Sequence, residues 1–132
     1  MGKYYILYND NTNIDVNLSI IDRPSKPAPE MEYETVKVPG GRTLYIEKGY
    51  SDVEIPIEFN FISKDASEWD KDFRAIKKWL LTRENNKLKF SDDLEVYYRV
   101  NSVVIDTPER LIRVGGKFTA TFTCEPYVYY DV

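Results

Sequence analysis

The most regular hydrophobic pattern in the chain is a strict alternation of apolar and polar residues over positions 53–61. An alternation of period two places the two sets of side chains on opposite faces of a β-strand. The apolar set consists of Val53, Ile55, Ile57, Phe59 and Phe61. Pro56 falls in the polar set and has no backbone N–H to donate, so we expect it at a sheet edge or a bulge. The segment predicts a strand with one buried face.

The period changes between residues 63 and 86, where apolar residues recur every three or four positions. This spacing is typical of an amphipathic helix that buries one stripe. The stripe consists of Trp69, Phe73, Ile76 and Leu80, widened by Trp79 and Leu81. Asp65 or Ser67 can cap the start of the helix, and Asn85 with Asn86 can end it. The sequence predicts one helix.

Short strands are predicted on both sides of that helix. An aromatic run at residues 4–8 ends at a turn, and residues 13–21 carry apolar side chains in period two. After the helix, strands are predicted at 88–90, 95–100, 102–105 and 111–114, then a turn at Gly115 and Gly116, and a last strand at 118–124. The pattern therefore predicts a mainly β domain of the α+β class.

The segment between the second predicted strand and residue 53 has its own character. Prolines at positions 24, 27 and 29 hold residues 23–32 extended, so we expect an arm there. Two strand-like segments, 33–38 and 43–47, then flank Pro39, Gly40, Gly41 and Arg42. Because glycine allows the positive φ of a tight connection, this predicts a β-hairpin that protrudes at the end of the arm.

One face of the predicted hairpin is apolar, through Val36, Val38, Leu44 and Ile46. The hairpin can fold onto its own sheet, or it can add to a neighbouring subunit that covers this face. The residues alone leave both hypotheses open. The candidate subunit-interface residues are Tyr33, Val36, Val38, Pro39, Gly40, Gly41, Arg42, Leu44, Tyr45 and Ile46.

Length, charge and cysteine content limit the number of domains and the classes of function that the chain can have. A chain of 132 residues suits a single domain. A net charge of -4, with dispersed Lys and Arg, disfavours nucleic-acid binding. Neither a secretory signal nor a membrane-spanning run is present in the sequence, and we expect the only cysteine, Cys124, to be a buried core thiol. These features predict a protein made in a reducing cytoplasm.

Few residues are candidates for chemistry. The chain has no histidine and one cysteine, which argues against Ser-His or Cys-His nucleophiles and against a thiolate zinc cluster. Carboxylates at Glu30, Glu32 and Glu34, and at Asp92 and Asp93, can in principle act on a sugar or bind calcium, but a solvated edge and a turn explain them better. We predict no catalytic residue, cofactor or metal. The alternative function is a carbohydrate-binding module that recognises a cell-wall polysaccharide through exposed tyrosines.

Four stretches, taken in order, resemble a known family. They are RPSKPAPEMEYETVKVPGGRTLYIEKGYSDVEIPIEF, WDKDFRAIKKWL, KLKFSDDLEVYYRV and GGKFTATFTCEPYVYY. Their order and spacing are similar to the N-terminal part of the distal tail proteins of long-tailed, non-contractile bacteriophages and prophages. The resemblance runs over essentially the whole chain.

The resemblance implies a virion structural protein and not an enzyme. It implies a β-sandwich-like domain with one helix, assembled six to a ring, whose protruding hairpin (33–38, 39–42 and 43–47) embraces the adjacent subunit. The ring is expected at the tail tip of the virion, where it links the tail tube protein to the tail-tip proteins that meet the host. It is expected to assemble in the bacterial cytoplasm, to have no membrane anchor, and to let DNA pass without specific binding.

Members of that family usually continue beyond the residues that match Glu125, Pro126 and Tyr127 into a second, often galectin-like domain. This sequence stops at Val132. The expectation is therefore one ring-forming domain over residues 1–132, without the C-terminal domain, from either a fragment or an unusually short member.

Overall fold

A computed structural model of the chain describes residues 4–82, 84–112 and 114–130. These residues form one helix, α1 (Trp69–Leu81), and the strands β1 (Ile6–Tyr8), β2 (Asn11–Thr12), β3 (Ser19–Ile20), β4 (Met31–Val38), β5 (Arg42–Tyr50), β6 (Val53–Ile62), β7 (Lys87–Phe90), β8 (Asp93–Ile105), β9 (Glu109–Ile112) and β10 (Gly115–Tyr130). Two short 3-10 helices, Asn13–Val16 and Ala66–Glu68, precede β3 and α1. The mainly β prediction with one helix is confirmed.

The alternating segment forms β6, in which buried and exposed residues alternate without a break from Val53 to Ile62. It pairs antiparallel with β10 along its whole length. Pro56 is opposite Thr121 on that side, whereas β3 pairs on the other side only at Phe59 and Asn60. Among the described strands, Pro56 therefore lies at an open edge, as predicted.

The main sheet is strongly curled. Its strand order is β2-β1-β7-β8-β10-β6-β3, and β9 pairs with β10. Two strands separate β1 from β10 in this order, yet the rings of Tyr8 and Phe122 meet edge-on with centroids 5.3 Å apart. Only residues 13–18 connect the two outermost strands. The sheet therefore bends until its edges come close, and its concave face holds the core.

Helix α1 covers that concave face. Its buried residues are the predicted stripe and Trp79, whose indole N–H donates to the Tyr8 carbonyl at 2.8 Å. Leu81 is 53% exposed and does not widen the stripe. The helix ends there because Asn9 organises the following loop: its amide donates to the carbonyls of Trp79 and Thr82, and its Oδ1 accepts from the N–H groups of residues 84–86.

The strand predicted at residues 13–21 is wrong for most of its length. Thr12 and Asp15 form a capping box on the 3-10 helix, and Asn17 has a φ of 59°. Buried Asn13 holds this turn, since its Oδ1 accepts from the Ile6 N–H at 2.9 Å and its Nδ2 donates to the Leu18 carbonyl at 2.8 Å. Polar side chains that bond the local backbone outweigh the apolar alternation here.

The turn predicted at Gly115 and Gly116 is also wrong, because both residues begin β10 and are buried. A Cβ built on Gly116 would lie 2.5 Å from Cε1 of Phe61. Glycine is needed at position 116 because the rings of Phe61 and Trp69 pack against its backbone. The Trp69 indole N–H donates to the carbonyl of the preceding Gly115 at 3.0 Å. The two strands predicted around residue 101 are one strand, β8, with a register shift there.

Candidate functional site

The predicted hairpin is a two-stranded sheet of its own. β4 and β5 pair antiparallel from Met31 opposite Tyr50 to Val38 opposite Arg42, and neither strand pairs with any other described strand. With 8 and 9 residues its strands are longer than predicted, and at about 3.3 Å per residue they span about 25 Å. The hairpin does not fold back onto its own sheet.

The tip of the hairpin needs its glycines. Gly40 and Gly41 have φ values of 105° and 91°, which side chains disfavour. The Gly41 N–H donates to the Val38 carbonyl at 3.2 Å, which closes the turn after Pro39. Arg42 is the first residue of β5 and not part of the turn.

The register sorts the hairpin residues onto two faces, because directly opposed residues share a face. Val36 is opposite Leu44, Glu34 is opposite Ile46 and Val38 is opposite Arg42. The apolar hairpin face therefore consists of Val36, Val38, Leu44 and Ile46, with Glu34 towards its base and Arg42 at its tip. The prediction that these four apolar residues share one face is confirmed.

Tyr33 and Tyr45, the aromatic members of the candidate set, lie on the opposite hairpin face. Tyr45 is opposite Thr35, and its ring meets that of Tyr33 edge-on with centroids 6.5 Å apart. This cross-strand aromatic pair stabilises the hairpin on the side away from the apolar face. The candidate set is thus divided between the two faces.

The body of the domain leaves the apolar hairpin face uncovered. Val36, Leu44 and Ile46 are 40%, 45% and 48% exposed, and Val38 is half-buried. Contiguous exposed apolar side chains mark interaction surfaces, and an isolated two-stranded hairpin is at best marginally stable in water. The hairpin has the chemistry of a surface that another molecule covers.

The base of the hairpin is fixed to the body. The N–H and the hydroxyl of Ser51 both donate to the Glu30 carbonyl, at 2.8 Å and 3.1 Å. Gly49, with a φ of 115°, lies at a register shift that bends the strands. The ring of Tyr50 meets that of Tyr127 edge-on with centroids 6.1 Å apart. The Ser51 bonds close the base of the hairpin, and the ring contact with Tyr127 of β10 attaches that base to the main sheet.

The proline arm is docked on the body rather than free. Arg23 and Lys26 approach the Asp92 carboxylate to 3.7 Å and 3.4 Å. The same cations lie over the rings of Tyr4 and Phe90, at 4.9 Å and 4.3 Å from the centroids. Burial, followed by the charge of Asp92, raises the pKa of Tyr4 to about 12. Of the two neighbouring carboxylates Asp92 and Asp93, Asp92 therefore anchors the proline arm to the body.

Other titratable groups offer little chemistry. Burial raises the pKa of the fully buried Cys124 thiol to about 12, which keeps it protonated and unreactive. Glu30, Glu32 and Glu34 are exposed. Within the described ranges, no three potential metal-ligating side chains come together, and α1 is too short and too polar to cross a membrane.

Sequence reasoning missed a cluster of side chains on the outer face of the sheet. The rings of Tyr97 and Tyr129 stack with centroids 5.5 Å apart, Arg99 lies over the Tyr129 ring, and Lys87 lies over the Tyr97 ring. The Tyr129 hydroxyl donates to Glu125 at 2.6 Å, and this bond raises its pKa. The two tyrosine rings pack on each other and on the two cations. Tyr97 and Arg99 are two residues apart on β8 and therefore share a face, and this spacing is the signal from which the sequence could have predicted the cluster.

Comparisons with known proteins complete these observations. No curated protein sequence matches the chain. Residues 3–126 match the profile of a family described as phage tail protein N-terminal domain.

Two solved structures are similar to the chain. The Dit (gp 19.1) protein of phage SPP1, described as a paradigm of the hub adsorption apparatus of phages that infect Gram-positive bacteria, matches with a TM-score of 0.73 and 14% identity over 98% of this chain and 53% of that one. The sheath/tube terminator of the extracellular contractile injection system PVC matches with a TM-score of 0.42 and 11% identity over 98% of this chain and 94% of that one. The chain spans about half the length of the Dit protein.

The fold and the family agree with the resemblance read from the sequence. At 14% identity, the likeness to Dit establishes a shared fold. The carbohydrate-binding alternative is not favoured, because the family match points to a structural component of a phage tail. Since the match extends over residues 3–126, the chain belongs to the phage tail protein N-terminal domain family.

Proposed function

We propose that this domain forms a ring of six copies that joins the end of a phage tail tube to the tail-tip proteins, with the hairpin of each copy gripping the next. Family membership supports a structural role in the tail. The fold shared with Dit, a hub adsorption protein, supports a position at the tip. Such a ring assembles in the bacterial cytoplasm and then forms part of the virion.

The observation that carries this proposal is the separate hairpin with an exposed apolar face. An arm that binds at a different place on the neighbouring subunit makes a head-to-tail contact, and such contacts close into rings when the rotation permits. Covering the half-exposed side chains of the apolar hairpin face contributes about 1 kcal/mol for each residue. The four residues together contribute about 4 kcal/mol to each junction, and the rest of the contact has to offset the remaining cost of association.

The partners follow from the position of the ring. The tail tube protein meets one side and the tail-tip proteins meet the other. The net charge of -4 at pH 7 suits a conduit through which DNA passes without being held.

Sedimentation velocity over a concentration series, with electron microscopy of the largest species, tests the ring. We expect the wild-type protein to assemble into rings, and Val38→Asp or Leu44→Asp to shift it to monomer with Tm changed by no more than a few degrees. Thr43→Asp, opposite Lys37 on the other hairpin face, is the matched control and should still assemble.

Two outcomes contradict the proposal. One is a wild-type protein with an intact hairpin that stays strictly monomeric at high concentration. The other is an equal loss of thermal stability in Val38→Asp and Leu44→Asp in a protein that was already monomeric, since the hairpin would then stabilise only its own fold.

A further inference from the structure

The concave face of the main sheet extends beyond the part that α1 covers. Near the end of β10, Val128 is opposite Tyr98 of β8 and Tyr130 is opposite Val96. Tyr98 packs against the core, and its ring meets that of Phe90 edge-on with centroids 5.9 Å apart. Because opposed residues share a face, Val96, Val128 and Tyr130 also lie on the concave side. We term these three residues the concave patch.

This patch is open to solvent and next to an unpaired strand edge. Val128 is 42% exposed and Tyr130 is 74% exposed, while Val96 is half-buried. β6 pairs with β10 only as far as Cys124, so residues 125–130 have no partner among the described strands on the side away from β8. An apolar face beside a free edge suits the addition of an extended or hairpin segment.

The hairpin of the same molecule is not the occupant. Its base lies close to the patch, since Tyr50 contacts Tyr127, which directly precedes Val128. The apolar hairpin face and the patch both remain exposed, so the hairpin does not cover the patch of its own molecule. Each copy therefore carries two uncovered apolar surfaces at separate places. One is the apolar hairpin face, which we term the donor, and the other is the concave patch.

We propose that the concave patch is the acceptor for the apolar hairpin face of a second copy of this chain. The inference rests on the proposed function and deepens it by locating the second half of each contact. A donor and an acceptor on one molecule form the head-to-tail junction that a ring requires.

Backbone pairing gives the two surfaces a common geometry. Residues 125–130 of β10 have no partner on the side away from β8, and β4 and β5 each have one edge without a partner among the described strands. A strand of the incoming hairpin can therefore add to the free edge of β10 while its apolar face covers the concave patch.

The size of the hairpin suits this role. β4 contributes 8 residues and β5 contributes 9, joined by the three residues of the tip. Each side of a standard protein interface contributes roughly 20–30 residues and about 800 Å². A hairpin of 20 residues therefore reaches the lower end of the range for one side of a stable junction.

Mixing two defective variants tests the inference. Val38→Asp removes the donor face, and Tyr130→Asp introduces a charge into the acceptor at a largely exposed position, so both variants should fold. By sedimentation velocity, we expect each variant alone to be monomeric. An equimolar mixture should form dimers and no rings, because one intact hairpin and one intact patch remain to make a single junction.

One control variant and three possible outcomes complete the test. Val104→Asp, at an apolar residue of β8 that is 63% exposed, should assemble like the wild type. Normal rings from Tyr130→Asp, with Val38→Asp monomeric, would overturn the acceptor assignment and leave the proposed function standing, with another segment covering the patch. A mixture that stays monomeric would also overturn the assignment. Monomeric wild-type protein would instead refute the proposed function.

Discussion

At the scale of single residues, Gly116 sets the packing of two aromatic rings. A side chain there would stand 2.5 Å from Phe61 Cε1 and 3.2 Å from Trp69 Cζ2. We expect Gly116→Ala to lower the free energy of unfolding by about 1–3 kcal/mol, since overpacking displaces rings that the core holds. Chemical denaturation measures this loss. The cost of Gly116→Ala should be smaller in a Phe61→Leu background than in the wild type, and an equal cost in the two backgrounds would contradict the steric explanation.

Cys124 predicts a pH dependence. The pKa of its thiol is about 12 in the folded protein and 9.0 in the unfolded chain, because burial disfavours the thiolate. Above pH 9 the unfolded chain loses this proton while the folded protein keeps it, so stability falls as the pH rises towards 12, by up to about 1.4 kcal/mol for each pH unit.

Denaturation curves between pH 8 and pH 11 measure this effect. Tyr4 contributes in the same range, so the comparison is with Cys124→Ala, whose stability should fall less steeply. Parallel pH profiles for the two proteins would show that the thiol is not responsible.

At the scale of elements, the side chain of Asn13 is the reason that residues 13–18 form a turn. Its side chain satisfies the Ile6 N–H and the Leu18 carbonyl, both in a buried setting. Asn13→Ala should cost about 2 kcal/mol or more, because it leaves both groups without a partner. Asn13→Asp, which can accept but not donate, should keep the bond to Ile6 and lose the one to Leu18. Hydrogen exchange at the Ile6 amide distinguishes them: fast exchange in Asn13→Asp would contradict this role.

The arm has its own prediction. Asp92 holds Arg23 and Lys26 at the surface, and such pairs contribute less than about 1 kcal/mol to stability. We expect Asp92→Asn to leave Tm nearly unchanged but to increase proteolytic cleavage within residues 23–30. Asp93→Asn is the matched control. Equal cleavage of the two variants would show that the arm is held by other contacts.

The elements that the sequence predicted well are those in which side chains simply alternate between core and solvent. β6 and the stripe of α1 belong to this class, since one buried face determines their period. Two other segments do not belong to this class. The buried amide of Asn13 determines the structure of residues 13–21. Two aromatic rings from distant positions determine the structure at Gly115 and Gly116. Contacts of that kind are invisible to a local pattern.

At the scale of the whole molecule, the hairpin and its apolar face were predictable from the sequence, whereas the proposed acceptor was not. Alternation around two glycines indicates a hairpin wherever it occurs. The concave patch exists only because β8 and β10 pair beyond the end of β6, and no local pattern reveals the lengths of three paired strands. The curled sheet likewise depends on pairing between Tyr8 and Leu88.

That long-range pairing has a consequence for synthesis on the ribosome. The hairpin joins neighbouring residues and can form as soon as residue 50 emerges, whereas β1 must wait for β7, and the concave patch is complete only when Tyr130 has been made. Local contacts form faster than distant ones, and chains fold from the N-terminus as they are synthesised. In the proposed ring, a nascent chain can therefore offer its hairpin to a finished neighbour well before it can receive one, and the order of translation would give assembly a direction.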